Sequence, residues 1–203
     1  MTTVKTVSKK TLALTLAATP FAIRAERGSD VAAREMLLDV CFGEDRDART
    51  CQRLRDGRLP AEGLAFSAVA KGKLVGTVRL WHIAAGGRPA LVLGPLAVDP
   101  AAQKLGIGGA LMRHAIEAAR KLGHASIILL GDAPYYERFG FEAAKAAELQ
   151  LPGEFERERL LGLELTEGAL AGAWGMIVPT GRAIGQARGL RPARRKRLAT
   201  AAA

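Results

Sequence analysis

The chain has 203 residues, a length typical of one domain with tails. Apolar residues make up 49% and charged residues 25%, which allows a buried core and excludes a disordered or fibrous protein. The net charge of +10 indicates nucleic-acid binding at first sight, but ten basic residues and no acidic residue lie in 1–20 and 180–203. We therefore predict a basic N-terminal extension (1–20), a formally neutral folded domain (21–179) and a basic flexible tail (180–203).

The cysteine count and the distribution of apolar residues give little sign of export or metal binding. Cys41 and Cys51 are the two cysteines, too few for a disulfide framework or a zinc site. Lys9-Lys10 before residues 11–18 is similar to a short signal peptide, although threonines interrupt it and a strand follows at once. No stretch reaches the roughly 18 apolar residues of a membrane span. We expect a cytoplasmic protein without metal and without membrane attachment.

The sequence of the N-terminal half predicts a strand, a helix and a β-hairpin. The strand covers Phe21–Ala25, and Ser29 or Asp30 can cap a helix that runs to about Cys41. Two apolar runs separated by a Lys-Gly-Lys turn predict the hairpin. Its strands cover Leu64–Ala70 and Leu74–Ile83.

The C-terminal half alternates strands and helices. We predict strands at Leu91–Val98, Ser126–Leu130 and about Arg159–Leu165, a helix from about Gly108 to Lys121, and a short helix at Pro134–Phe139. This order is typical of an α/β fold with a central mixed twisted sheet and helices on both faces.

The glycines before the longer helix predict a phosphate-binding loop. Gly106-Ile107-Gly108-Gly109 opens an amphipathic helix, and glycines there allow positive φ and a close ligand approach. The first-turn N–H groups are unpaired and the helix dipole is positive at this end, so both favour a pyrophosphate. Lys104 adds a nearby cation.

Three kinds of phosphate-binding loop have recognisable sequence patterns. The chain contains no Walker A pattern, and the dinucleotide fingerprint would need a glycine where Leu111 stands. The pattern Q/R-x-x-G-x-G/A matches Gln103–Gly108 at every fixed position. Tyr135-Tyr136-Glu137-Arg138-Phe139-Gly140-Phe141 follows one predicted strand later.

This ordered set over about 91–141 resembles the GNAT superfamily of N-acetyltransferases. The resemblance implies a GNAT fold, acetyl-CoA as co-substrate and transfer of acetyl to an amine, with the acceptor a small molecule or a polypeptide. It also implies which residues hold the cofactor, from the end of one strand to the start of the helix: Leu96, Ala97, Val98, Gln103, Lys104, Leu105, Gly106, Ile107, Gly108 and Gly109.

The resemblance implies direct attack by the amine, without an acyl-enzyme. Tyr136, before Glu-Arg-Phe-Gly-Phe, stands at the family position of the proton donor. Its ordinary pKa near 10 is above that of a thiol, so the phenol is protonated at neutral pH and is our candidate donor to the departing thiolate. Tyr135 is expected to pack, although the two roles can be exchanged. The general base stays open among Glu26, Glu35, Glu44, His82 and a water chain.

Two other functions remain as alternatives. A GNAT fold can hold acyl-CoA as a sensor without turnover, and the basic tail can give weak, salt-dependent nucleic-acid contact. The sequence leaves open whether the protein is a monomer or a homodimer.

Overall fold

The structure, a computed structural model, describes residues 21–185. The predicted N-terminal extension and the tail from residue 186 lie outside the described residues. The strands and helices follow one another in this order: β1 (Ala22–Ala25), α1 (Val31–Phe42), β2 (Ala65–Ala70), β3 (Lys73–Ala85), β4 (Arg88–Val98), α2 (Ile107–Lys121), β5 (Ser126–Leu130), α3 (Ala133–Tyr136), β6 (Leu149–Gln150), β7 (Leu160–Glu164) and β8 (Gly175–Pro179).

The strands form one mixed sheet. Its main path runs β1-β2-β3-β4-β5-β7, with β8 paired to β3 and to β6. Along the main path every neighbouring pair is antiparallel except β4 and β5, which are parallel. The α2 crossover joins these two strands, as a parallel connection requires. The predicted fold class is therefore confirmed.

Both faces of the sheet are covered. Leu111 and Met112 of α2 pack with Val78 and Leu93 in one core, because the apolar residues of α2 recur at helical spacing. On the opposite face, Leu37 and Leu38 of α1 pack against Ala97. The remainder of that second face is covered by the segments around Leu54, Leu149 and Leu170, which enclose Trp81 and Ile128.

The sequence did not predict β6 or β8, and it placed the end of the fold too early. Strand β8 contains three apolar residues in a row, at 176–178, but only Ile177 is buried, and a run this short does not by itself mark a strand. Gly181 and the residues after it were expected to be flexible. Instead, the Leu59 N–H donates to the Arg182 carbonyl at 2.9 Å and the Ile184 N–H to the Gly57 carbonyl at 2.8 Å. Backbone pairing of this kind does not depend on side-chain composition.

Asp30 ties the first strand to the first helix. It stands at the N-terminus of α1 as predicted, yet its carboxylate does not cap that helix. It accepts hydrogen bonds from Arg24 (2.6 and 2.8 Å), from the Arg27 N–H (2.9 Å) and from Ser67 Oγ (3.0 Å). The Arg24 guanidinium holds the pKa of this carboxyl well below its usual range.

We expect Asp30→Asn to destabilise the protein by about 1.5 kcal/mol at pH 7, because charge-assisted hydrogen bonds are lost. In a chain of this size that corresponds to a Tm lower by about 3–6 °C. The ionised carboxylate stabilises the folded state at pH values above about 4, the pKa of Asp30 in the unfolded chain. This stabilisation is lost as the pH falls towards the lower pKa of Asp30 in the folded protein. The Tm difference between wild type and variant, measured by circular dichroism, should therefore shrink below pH 4; a constant difference would contradict the assignment.

Candidate active site

The glycine-rich loop joins β4 to α2. After β4 ends at Val98, one 3-10 turn over Pro100–Ala102 leads into the loop. Gly106 has φ of 77°, in the left-handed region, and it is the N-cap residue of α2. A glycine at this position carries no side chain that could cap the helix, so the N–H groups of the first turn are left for an external acceptor.

A cavity of about 490 Å³ opens at this loop; we call it the loop cavity. None of its described lining residues is acidic, and three are basic: Lys104, Arg113 and Arg138. Seven of the ten predicted cofactor-binding residues line it: Val98, Gln103, Lys104, Gly106, Ile107, Gly108 and Gly109. Convergent cations and open helix N–H groups make the loop cavity suited to a polyphosphate.

Two of the lining cations were not predicted from the sequence. The Arg113 guanidinium lies 3.5 Å from the position that a Cβ on Gly109 would occupy. Arg113 is four residues after Gly109, so helical spacing alone places it on the same side of α2 and could have identified it. The Arg138 guanidinium stacks 4.3 Å above the Tyr135 ring. Arg138 is three residues after Tyr135 in the predicted short helix, so helical spacing could have identified this contact as well.

The strands β4 and β5 separate beside this loop. They are paired only at Leu91–Ile127 and Val92–Ile128 among residues 21–185. On its other side, β4 pairs with β3, and the Asp99 N–H donates to the Val75 carbonyl at 3.0 Å. Because hydrogen-bonded and non-hydrogen-bonded positions alternate along an antiparallel ladder, the backbone groups of Leu96 and Val98 point away from β3, into the gap.

A second cavity, of about 780 Å³, occupies this gap; we call it the central cavity. It is lined by parts of residues 38–55, 92–98, 129–136 and 154–159. The two cavities share Val98, Gly108 and Tyr135 as lining residues, so they adjoin at the start of α2. A long ligand with an anionic end can therefore lie with that end at the loop and the remainder along β4.

Leu96 lines the central cavity, whereas two predicted cofactor residues have side chains elsewhere. Ala97 is buried against Leu37 and Leu38 on the α1 face, and its register pairs it with Thr77 of β3. The Leu105 side chain is 52% exposed and lines neither cavity.

Residues 32–141, more than half of the chain, match the acetyltransferase (GNAT) family. The chain belongs to this GNAT family. The match contains α1, the separated strands, the loop and the Tyr-Tyr motif, so it covers both cavities except for the wall at 154–159.

Two curated relatives and two solved structures agree with the family. In Escherichia coli K12, the N-acetyltransferase YjhQ is 35% identical over 105 residues, 50% of this chain and 58% of YjhQ. The N-acetyltransferase YhbS is 27% identical over 157 residues, 76% of this chain and 93% of YhbS. Both names support the predicted enzyme class, an N-acetyltransferase, which is thereby confirmed.

The structure of E. coli YhbS in complex with CoA superimposes with a TM-score of 0.67, at 28% identity, covering 79% of this chain and 90% of YhbS. A GNAT acetyltransferase from Brucella melitensis in complex with acetyl-CoA gives a TM-score of 0.55, also at 28% identity, with 71% and 87% covered.

Tyr136 lies half-buried on the central cavity of this GNAT domain. Its ring lies over Gly131, where a Cβ would come within 2.2 Å of Tyr136 Cε2, so residue 131 must be glycine for the ring to adopt this position. Phe141 packs on it with the ring centroids 6.1 Å apart. Burial, followed by the neighbouring Tyr135, raises the pKa of Tyr136 to about 12, so the phenol keeps its proton at neutral pH.

Tyr135 lies between the two cavities. Its hydroxyl is 2.9 Å from the position that a Cβ on Gly108 would occupy, at the start of α2. Its ring meets the Tyr136 ring edge-on, with centroids 4.9 Å apart. The two tyrosines therefore reach different places: Tyr135 the loop, and Tyr136 the gap between the strands.

None of the four candidate bases lines the central cavity. Glu26 is bound by Arg34 and Arg79, and Glu35 by Arg34 and Arg46. Glu44 is exposed in a 3-10 turn, and the His82 ring lies 5.3 Å from that of His124. The carboxylates that do line the cavity are Asp132, Glu154 and Glu156.

The cysteines do not have the surroundings of a nucleophile. Cys41 Sγ donates to the Val98 carbonyl at 3.4 Å, and Cys51 lines the central cavity. Burial raises the pKa of both thiols, which disfavours the reactive thiolate. Within residues 21–185, no group of three or more His, Cys, Asp or Glu side chains is placed to hold a metal ion. No helix in the same range is long and apolar enough to cross a membrane.

Proposed function

We propose that this protein transfers an acetyl group from acetyl-CoA to a primary amine by direct attack within a ternary complex. The observation that carries the proposal is the continuity of the loop cavity with the gap between β4 and β5. Its dimensions and chemistry suit a ligand with a pyrophosphate at one end and an amide-containing arm at the other. When bound, acetyl-CoA supplies an acetyl group activated as a thioester.

The chain's own residues bind and orient this co-substrate. The first-turn N–H groups of α2 bind the pyrophosphate together with Lys104, Arg113 and Arg138. The outward-facing backbone groups of Leu96 and Val98 pair with the amide groups of the pantetheine arm, as an added strand would. A backbone N–H on this strand polarises the carbonyl under attack.

Proton transfer is assigned to Tyr136. The amine nitrogen forms a bond to the carbonyl carbon, the carbon–sulfur bond breaks, and the sulfur leaves as a thiolate. Tyr136 Oη donates a hydrogen bond to that thiolate and recovers any transferred proton from the protonated product nitrogen through solvent. The acceptor amine must lose its ammonium proton before it attacks. Asp132, Glu154 and Glu156 line the cavity and are the carboxylates that can accept this proton.

Titration of acetyl-CoA into the full-length protein by calorimetry tests the cofactor site. We expect one site with a micromolar dissociation constant, and we expect thiol release when an accepted amine is added. Binding without thiol release for any amine in a broad panel would favour the sensor alternative instead. Absence of binding would contradict the proposed function, and salt-sensitive nucleic-acid binding would then be measured.

A further inference from the structure

The central cavity contains four arginines, which differ in their partners. Arg46 is neutralised by Glu35 and by Asp39, at 2.5 and 2.7 Å. Arg159 lies 3.4 Å from Glu156. Two of the four thus have acidic partners on the protein.

The remaining two arginines form no ion pair with any of residues 21–185. Arg49 Nη2 donates to the Phe42 carbonyl at 3.0 Å, and its guanidinium lies over the Phe42 ring. The Arg55 side chain donates no hydrogen bond to any described residue, and its Nε is inaccessible to solvent without an acceptor. Asp47 and Asp56 attract the Arg55 charge only from beyond ion-pair distance. Among these four arginines, Arg55 alone has a guanidinium with neither an ion pair nor a hydrogen bond to a described residue.

Arg55 is held in place next to the gap between the strands. The preceding residue, Leu54, is completely buried in the core, and Thr50 Oγ1 donates to the Glu154 carbonyl at 2.6 Å. Arg55 Nη1 lies 3.9 Å from the position that a Cβ on Gly94 would occupy, at the point where β4 leaves β5. The segment that carries Arg55 is thus held by its neighbours, and the guanidinium lies on the cavity wall beside the strand that carries Leu96.

An unpaired cation in a partly desolvated position destabilises the free protein. Removing a guanidinium from water is unfavourable unless an anion and acceptors replace the water. Burial accordingly lowers the pKa of Arg55. A carboxylate or phosphate matches the planar donor set of arginine and would supply the missing acceptors.

We infer that the acceptor amine carries an anionic group, a carboxylate or a phosphate, that binds Arg55 in the central cavity. This inference rests on the proposed function and adds the substrate class. The anion lies at Arg55, and the amine of the same small molecule points to the gap faced by Tyr136. Zwitterionic amines such as amino acids have this combination of groups.

Matched pairs of amines test the inference. The panel contains the twenty L-amino acids with their carboxamides, and phosphoethanolamine with ethanolamine, each supplied with acetyl-CoA; thiol release gives kcat/KM. We expect at least one anionic member to be acetylated with kcat/KM at least about tenfold above that of its neutral counterpart. The amino acid and phosphoethanolamine arms distinguish a carboxylate from a phosphate.

Variants at position 55 separate substrate binding from a structural role. Arg55→Met should lower kcat/KM for the anionic amine at least about tenfold and leave the neutral counterpart within about twofold. Acetyl-CoA affinity should stay unchanged, and Tm should stay equal or rise, because an unpaired charge is removed. Arg120→Met, on the exposed face of α2, removes the same charge far from both cavities and should change none of these values.

The other possible results contradict either the inference alone or the proposed function as well. Acetylation of neutral amines with no preference for their anionic counterparts overturns the inference and leaves the proposed function standing. Acetyl-CoA binding without acetylation of any amine in the panel overturns the inference and favours the sensor alternative. A fall in Tm in Arg55→Met with the preference intact shows that Arg55 is structural, which also overturns it. Failure of the wild-type protein to bind acetyl-CoA overturns the proposed function and the inference together.

Discussion

Gly108→Glu is expected to weaken acetyl-CoA binding by at least about 100-fold, or about 2.7 kcal/mol. A Cβ at this position would already lie 2.9 Å from Tyr135 Oη and 3.6 Å from Val98 Cγ2. The longer glutamate side chain would fill the junction of the two cavities. Its carboxylate would also repel the pyrophosphate where Lys104 and the α2 dipole are placed to attract it.

Gly28→Glu is the matched control for this substitution. It adds the same charge, but no atom lies within 4 Å of the position of its Cβ, and Gly28 lines neither cavity. Calorimetry on both variants should show full binding for Gly28→Glu only, with equal far-UV circular dichroism. If Gly108→Glu bound acetyl-CoA with wild-type affinity, the loop cavity would not be the pyrophosphate site.

The loop and its helix were predictable because their signals are local. A glycine N-cap, a cation two residues before it and apolar residues at 3.6-residue spacing all lie within twenty positions. The hairpin and β5 were predicted for the same reason: each strand is a short segment rich in apolar residues and bounded by turn residues. The strand β8 was missed because only Ile177 is buried in it and its pairing to β3 is long-range.

The composition of the central cavity was not predictable from local patterns. Glu26 was one of the four candidate bases, but folding gives it Arg34 and Arg79 as partners. Conversely, Arg55 and Glu154 are about one hundred positions apart in sequence and share the cavity because Thr50 binds the Glu154 backbone. Charge compensation depends on such contacts, and neither composition nor spacing specifies them.

Tyr136→Phe is expected to lower kcat about 100-fold while acetyl-CoA affinity stays the same. Phenylalanine retains the ring that packs on Gly131 and Phe141 and removes only the hydroxyl. With a pKa of about 12, the phenol is a weaker acid than a thiol of pKa about 8.5 by roughly 5 kcal/mol. Hydrogen bonding to the thiolate is therefore favoured over complete transfer, which sets the loss at the low end of the range for general acids, about 100- to 10,000-fold.

The pH profile gives this prediction a second readout. Because the raised pKa keeps the phenol protonated, its ionisation should not reduce the wild-type rate below pH 10, and the ratio of wild-type to variant kcat should stay constant from pH 7 to 10. Tyr135→Phe removes the hydroxyl that faces Gly108 and should alter KM for acetyl-CoA more than kcat. If instead kcat fell in Tyr135→Phe and not in Tyr136→Phe, the two tyrosines would have exchanged roles, and the proton donor would stand at the junction of the cavities.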